Sequence, residues 1–517
     1  MASSETQQRL IERLRRGDRF APPVSTVELI ETHISCVLLA GAFAYKIKKP
    51  VNFGFVDFST LERRRHFCEE ELRLNRRLAP ELYLRVAVIA GTPEAPVFDG
   101  PGAPIEYALV MRRFDEAHRA DRLLAAGGLT AAHIERFARE LADFHACAEI
   151  VSPQACPDQP ERAQHWVTEN LDQIAPFVAG TPHEADVAAL RACTERESAR
   201  LLPVFRGRLP EGRVRDGHGD LHLANLVLWE DRIRAYDCLE FNAELRRIDV
   251  ASEMAFLFMD FEAHERSDFA WLFLNAYLES CGDYAVCELL RYCAVYRALV
   301  RVKVECLSAA ARGRAGFPDA ALRYLALAER YSAVPHQPPL ILMHGLSGSG
   351  KSRVALDLLS TFGAIRLRSD VERRRLADRE GVSTGGIEEG AYRPEMTGRV
   401  YAHLRDTARM LLQSGIPVIV DATFLKHAQR APFLELAGAL QVPALIVHCE
   451  APEATLRERI IARAGSDASQ ATVEVLEHQM RTIEPFDATE RARVVIVDTT
   501  AGDGAQVVTL IRRQLGG

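Results

Sequence analysis

The chain has 517 residues, of which 48% are apolar and 26% charged, a composition that suits about three folded units and excludes disordered, collagenous and fibrous proteins. Its formal charge is −7, and residues 337–517 carry 22 basic and 22 acidic groups, so the whole acidic excess lies in residues 1–336. Neither part has the basic balance of a long nucleic-acid binder.

In chain order, Cys36 to Leu39 and Ala44 to Lys48 read as short strands, Leu61 to Leu78 as a helix, and Tyr83 to Ala90 and Glu106 to Arg112 as further strands. This predicts a strand-rich small lobe over about residues 25–115, followed by a helical lobe over about 116–332. Ile134, Phe137, Leu141 and Phe144 share one face of a helix there, and the irregular stretch Arg213 to Asp237 interrupts the helical pattern. That stretch contains His218-Gly-Asp220-Leu-His222-Leu-Ala-Asn225, with Asp237 twelve residues later. Asp220 and Asn225 have the D-x-x-x-x-N spacing of a kinase catalytic loop, and Asp237 stands where a metal-binding aspartate follows a short hairpin. Asp220 would orient or deprotonate an acceptor hydroxyl, while Asn225 and Asp237 would hold Mg²⁺. His218 and His222 read as loop supports, and Asp249 as a structural anchor.

On these residues, positions 30 to 310 resemble the aminoglycoside phosphotransferase and choline kinase class. The resemblance implies a bilobal protein-kinase-like fold, with a strand lysine oriented by a helical glutamate. Lys46, preferred over Lys48, and Glu71, preferred over Glu70, match those roles, and Met111 ends the Tyr107–Met111 segment expected to meet adenine through its backbone. One departure is the turn Leu39 to Ala42, whose single glycine is a poor cradle for phosphate.

Three prolines within residues 333–339 mark a linker, and a second domain is expected over 340–517. Its apolar strands (Leu340 to Met343, Ala364 to Leu367, Pro417 to Val420, Ala444 to His448, Val494 to Val497) alternate with helices, which predicts a parallel sheet with helices on both faces. Gly345-Leu-Ser347-Gly348-Ser349-Gly350-Lys351-Ser352 satisfies G-x-x-x-x-G-K-[ST] between a strand and a helix, the pattern of a P-loop NTPase. There the loop amides cradle phosphates, Lys351 reaches the terminal ones and the Ser352 hydroxyl serves Mg²⁺. Asp370 is the candidate base at the sheet edge and Arg373 the clamp for an anionic substrate. Asp421 would hold a Mg²⁺-bound water or brace Arg373. Arg463, with Arg459, would meet the transferring phosphoryl group from a lid over Ala464 to Ser469. These residues resemble the small P-loop kinases of the polynucleotide kinase, zeta toxin and gluconate kinase type.

The order of the two regions resembles the bacterial bifunctional aminoglycoside phosphotransferase/ATP-binding proteins, which implies an α/β and α+β multidomain enzyme. It would transfer the γ-phosphoryl group of ATP, with Mg²⁺, to a hydroxyl of a small molecule, from two nucleotide sites. The alternatives are a first domain that only senses a ligand, or a second domain that phosphorylates polynucleotide 5′-hydroxyls. Eleven cysteines without a C-x-x-C pair, no signal-peptide pattern and no long apolar run lead to the expectation of a cytoplasmic protein without membrane contact.

Overall fold

The computed structural model describes residues 4–54, 56–314, 316–333, 337–382, 390–462, 472–500 and 504–515, without the side chains of 504–506. The chain divides into two compact units: Met1–Asp260 with Tyr296–Leu325, and Phe261–Val295 with Ala326–Gly517.

In the first unit, β1 (Val27–Glu31), β2 (Ser35–Ala40), β3 (Phe43–Lys48), β4 (Tyr83–Thr92), β5 (Ala95–Phe98) and β6 (Pro104–Arg112) form an antiparallel sheet in the order β1-β2-β3-β6-β4-β5. Alternation along β6 explains its two-sided burial. Ala108 and Val110 join a core with Leu10, Ile11 and Leu14 of the helix Ser4–Leu14, while Leu109 turns to Leu82, Tyr83 and Val227. The helix Leu61–Asn75 starts at Thr60, whose hydroxyl accepts from the Arg63 amide, and packs on β4 and β6. Ala40 pairs with Phe43, so Gly41 and Ala42 make a two-residue turn with Gly41 at φ 59°. Further along, β7 (Val214–Asp216) pairs with β10 (Arg247–Asp249), and β8 (Leu226–Trp229) with β9 (Arg232–Ala235). The stretch between β7 and β8 carries Asp220 and Asn225, and Asp237 stands two residues past the end of β9.

The second unit contains β11 (Leu340–His344), β12 (Ile365–Arg368), β13 (Val418–Asp421), β14 (Ala444–Glu450) and β15 (Val494–Asp498), all parallel, in the order β12-β13-β11-β14-β15. Ile341, Met343, Ile419 and Val447 pack against the helices Lys351–Phe362 and Gly504–Gln514. The alternate residues Leu342, Val420 and Ile446 are equally buried, as in a sheet covered on both faces.

Two expectations shift. Contacts group residues 261–295 and 326–332 with the strands beyond Leu340, so position 332 does not end the first unit. The physical reason lies in the helix Ser267–Cys281: Asn275 bonds the backbone of β12, and Trp271 lies against Gly363. In addition, β12 ends at Arg368, and Asp370 stands in the first turn of the helix Ser369–Glu380, past the sheet edge where the sequence places it.

Candidate active sites

In the second unit the chain leaves β11 through Gly345 at φ 139° and turns again at Gly348 at φ 80°. Side chains would collide at both positions: a Cβ on Gly345 would lie 2.4 Å from the Cys449 carbonyl oxygen, and one on Gly348 2.7 Å from that of Leu456. Gly350 caps the helix Lys351–Phe362, so the loop runs directly into the positive end of that helix. Lys351 is buried, with Nζ donating to the carbonyls of Gly345 at 2.8 Å and Leu346 at 2.7 Å. Ser352 is the second residue of this helix and is partly buried. The Ser349 amide donates to the Leu346 carbonyl, whereas the Ser349 hydroxyl is buried without a partner. The Ser347 amide donates to Gln479 Oε1 at 2.8 Å.

Gln479 was not among the sequence candidates. It sits on the helix Val473–Thr482, 132 residues from Ser347, and no local motif marks it. Leu476 of that helix packs with Leu456 and Ile460 of the helix Glu453–Ala462, and with Leu346 of the loop. Arg459 reaches the Gly348 carbonyl and the hydroxyl and carbonyl of Thr499. Arg463 and the lid Ala464 to Ser469 lie outside the described residues, as do Val334, Pro335 and His336 of the linker.

Asp421 ends β13 opposite Arg368 of β12, on the strand beside β11. It is 7% exposed, and its Oδ2 accepts no hydrogen bond. Asp370 is half-buried; burial and then the charge of Asp421 push its carboxyl above the ordinary aspartate range, against Arg368, Arg373 and Lys351. Arg373 is nearly buried and donates to the Ala391 carbonyl at 2.8 Å and the Thr397 hydroxyl at 3.1 Å. Its guanidinium lies 4.9 Å from the ring of Tyr392, and its Nε is buried without a partner. Behind the loop, His344 and His448 share a 2.9 Å contact between their Nδ1 atoms. Burial first and His448 second push His344 down to about 3.

In the first unit, Glu71 is fully buried and accepts from Lys46 at 2.7 Å and Lys48 at 2.6 Å. Lys46 also donates to Asp237 Oδ1 at 2.7 Å, and Lys48 to Glu240. Burial would strip the charge from Lys46, but Asp237 and Glu71 overcome it and hold the ammonium well above its ordinary value. Glu70 faces outward and pairs with Arg73. One turn beyond Glu71, Asn75 Oδ1 accepts from the Cys238 amide, and the Asp237 amide donates to the Tyr83 hydroxyl. These bonds hold Asp237 at φ 62°.

Asn225 Nδ2 donates to Asp220 Oδ2 at 2.9 Å, and His222 Nε2 lies 3.5 Å from the same oxygen. Burial opposes the Asp220 charge, but His222 and His218 keep its carboxyl below the ordinary range. His218 accepts from the Asp220 amide through Nδ1 and meets the Tyr236 carbonyl through Nε2, so both ring nitrogens are committed to holding the loop. Glu253 Oε1 accepts from the amides of His218 and Gly219, at 2.5 and 2.7 Å. Asp249 takes two bonds from Arg208 and one from the Ala251 amide, an anchor as its sequence context suggested.

Met111 does not present a free backbone. It lies inside the ladder opposite Ala44 and Tyr83, and pairing continues until the Arg113 amide donates to the Ala42 carbonyl. Phe114 is the first residue past this paired run, so the Tyr107–Met111 segment lies within the sheet and not in a free connection.

Residues 340–486 match the AAA domain family. Uncharacterized proteins of Mycobacterium tuberculosis and Mycobacterium bovis are 34% identical to the chain over 460 residues, covering 87% of it and 88% of their own length. Among solved structures, a putative kinase of Chloroflexus aurantiacus is 23% identical and covers 35% of this chain and 97% of its own, with a TM-score of 0.30. A gluconokinase of Sinorhizobium meliloti is 25% identical, over 35% of this chain and 91% of its own, with a TM-score of 0.26.

Proposed function

We propose a function for a chain that belongs to the family of the mycobacterial proteins it matches along most of its length: the P-loop unit transfers the γ-phosphoryl group of ATP to a hydroxyl of a small anionic molecule. One observation carries this reading. Asp421 ends β13, beside the strand that leads into the P-loop and opposite Arg368 of β12, and Asp370 follows two residues after Arg368 in the first turn of the next helix, where burial and then the charge of Asp421 raise its carboxyl. A half-buried carboxylate with a raised proton affinity suits a base that takes the acceptor's proton, and Arg373, one helical turn on, suits the acceptor's anionic group. Lys351 and the loop amides bind the phosphates and offset charge that builds up on them during transfer.

Mg²⁺ fits this edge because Asp421 presents a buried oxygen without a hydrogen-bond partner. Ser352 and Asp421 would hold the ion, which supplies charge neutralisation to the phosphates when bound.

The first unit supports a second phosphotransfer site of the protein-kinase-like kind. Lys46, tied to Glu71 and Asp237, suits phosphate binding; Asp220, held by Asn225, suits the acceptor hydroxyl. Asn225 and Asp237 would hold Mg²⁺ there. The two-residue turn at Gly41 and Ala42 favours a competing reading, a unit that binds its ligand without turnover, because so short a turn offers few amides to a triphosphate.

Full-length protein incubated with γ-labelled ATP, Mg²⁺ and a panel of sugars, sugar acids, nucleosides and oligonucleotides tests these readings. Label on a small hydroxyl compound that Asp370→Asn abolishes supports the P-loop assignment, and label only on oligonucleotides replaces its acceptor class. Turnover that Asp220→Asn removes separately would make the first unit an enzyme; its absence favours the sensor.

A further inference from the structure

We propose that residues 267–284 form the acceptor-side wall of the P-loop unit, and that Glu279 and Tyr284 are positioning residues for Asp370 and Arg373. This rests on the kinase reading of that unit. The wall comes from sequence upstream of the linker, yet it fastens to the elements that carry the candidate base and clamp.

The attachment has three parts. First, β12 is an edge strand, and Asn275 acts as its missing neighbour: Asn275 Nδ2 donates to the Ala364 carbonyl at 2.9 Å, and the Arg366 amide donates to Asn275 Oδ1 at 2.7 Å. Asn275 is 7% exposed, so these bonds are shielded from water.

Second, Glu279 joins two arginines of β12. It accepts from Arg368 at 2.6 Å and from Arg366 at 3.3 Å. Arg366 in turn reaches the Ser352 carbonyl on the helix Lys351–Phe362, while Arg368 is the residue from which the Asp370 helix starts. One carboxylate thus fixes the strand end between the phosphate loop and the candidate base.

Third, the chain after Cys281 grips the Asp370 helix itself. The Tyr284 hydroxyl donates to Glu372 Oε1 at 2.9 Å, and Arg375 donates to the Glu279 carbonyl at 2.6 Å and pairs with Glu372. Gly282, at φ 71°, lets Arg375 pass, since a Cβ there would come 2.6 Å from its Nε. Glu372, which lies between Asp370 and Arg373, is 1% exposed and also meets His403 at 3.2 Å. Restraints this close to a reacting group act on orientation, and small misplacement of a base costs rate more than it costs nucleotide binding.

The test uses full-length protein and the part of its ATP turnover that Lys351→Ala removes. Glu279→Gln keeps the side chain's volume and removes its charge; Tyr284→Phe removes only the hydroxyl. For Glu279→Gln the expected result is a fall in kcat of about tenfold with KM for ATP within about twofold of wild type, and for Tyr284→Phe a smaller fall of the same kind. Unchanged kcat in both variants would overturn the proposal. So would a parallel loss of kcat, ATP binding and melting temperature, because that pattern marks general damage to the fold. Asp370→Asn in the same assay separates the two layers: if it leaves turnover intact, the kinase reading fails, whereas an inactive Asp370→Asn beside fully active wall variants refutes only the wall.

Discussion

The Ser347 amide and the Gln479 side chain are hydrogen-bonded at 2.8 Å, so one N–H of the phosphate loop is held by a glutamine on a helix that begins 122 residues after Lys351. A phosphate oxygen that takes this amide must displace Gln479 or share the proton with it.

Gln479→Leu removes that competitor. A single hydrogen bond has a net value of about 1 kcal/mol, so ATP is expected to bind about fivefold more tightly to the variant. Calorimetric titration with ATP in the presence of Mg²⁺ measures this. Weaker binding would mean that Gln479 supports the loop and does not compete for it.

The Asp370 carboxyl, raised by burial and by Asp421, should give P-loop turnover an acid limb above the ordinary aspartate range. A base works deprotonated, so activity rises as pH increases through that value. Asp421→Asn removes the repelling charge and should move the limb to lower pH, although kcat also falls if Asp421 serves Mg²⁺. The stability effect has the opposite sense: a raised carboxyl binds its proton more tightly in the fold than in the unfolded chain, so its contribution favours the fold at low pH and declines as pH rises through the window between the two values. Rate profiles of wild type and Asp421→Asn from pH 4 to 8 test the shift, and a limb that stays in place contradicts it.

Glu71 and Glu70 are adjacent but should respond very differently to neutralisation. Glu71→Gln leaves Lys46 and Lys48 buried with one carboxylate fewer and should destabilise the first unit by about 3 to 5 kcal/mol. Glu70→Gln breaks only its pair with Arg73, which is 52% exposed, and should cost less than about 1 kcal/mol. Urea unfolding followed by circular dichroism reads both, and similar losses in the two variants would contradict the buried network.

The sequence made the phosphate loop legible because its chemistry is local: glycines, Lys351 and Ser352 follow one another at fixed spacing. Glu71 could be preferred to Glu70 for a similar reason, as it lies one turn before Asn75 and the two share a helix face that meets Lys46 and the Cys238 amide. Asp370 lies in a helical turn and not at the sheet edge itself, because apolar patterning marks the buried run and not where the next helix begins. Met111 was misplaced because strand pairing depends on Ala44 and Tyr83, which the sequence of β6 does not contain. Gln479, Asn275 and Glu279 were invisible because each acts on a partner more than 85 residues away. The first strand, Val27–Glu31, was missed because most of its residues face solvent, which leaves little apolar alternation to detect.

The most direct measurement of the central claim is transfer of labelled γ-phosphate from ATP by full-length protein, compared among wild type, Lys351→Ala and Asp370→Asn under saturating Mg²⁺. The account predicts that Lys351→Ala loses ATP binding at the P-loop along with the transfer assigned to it, and that Asp370→Asn binds ATP there normally but transfers at least about a hundredfold more slowly. Wild-type rates in both variants would contradict it.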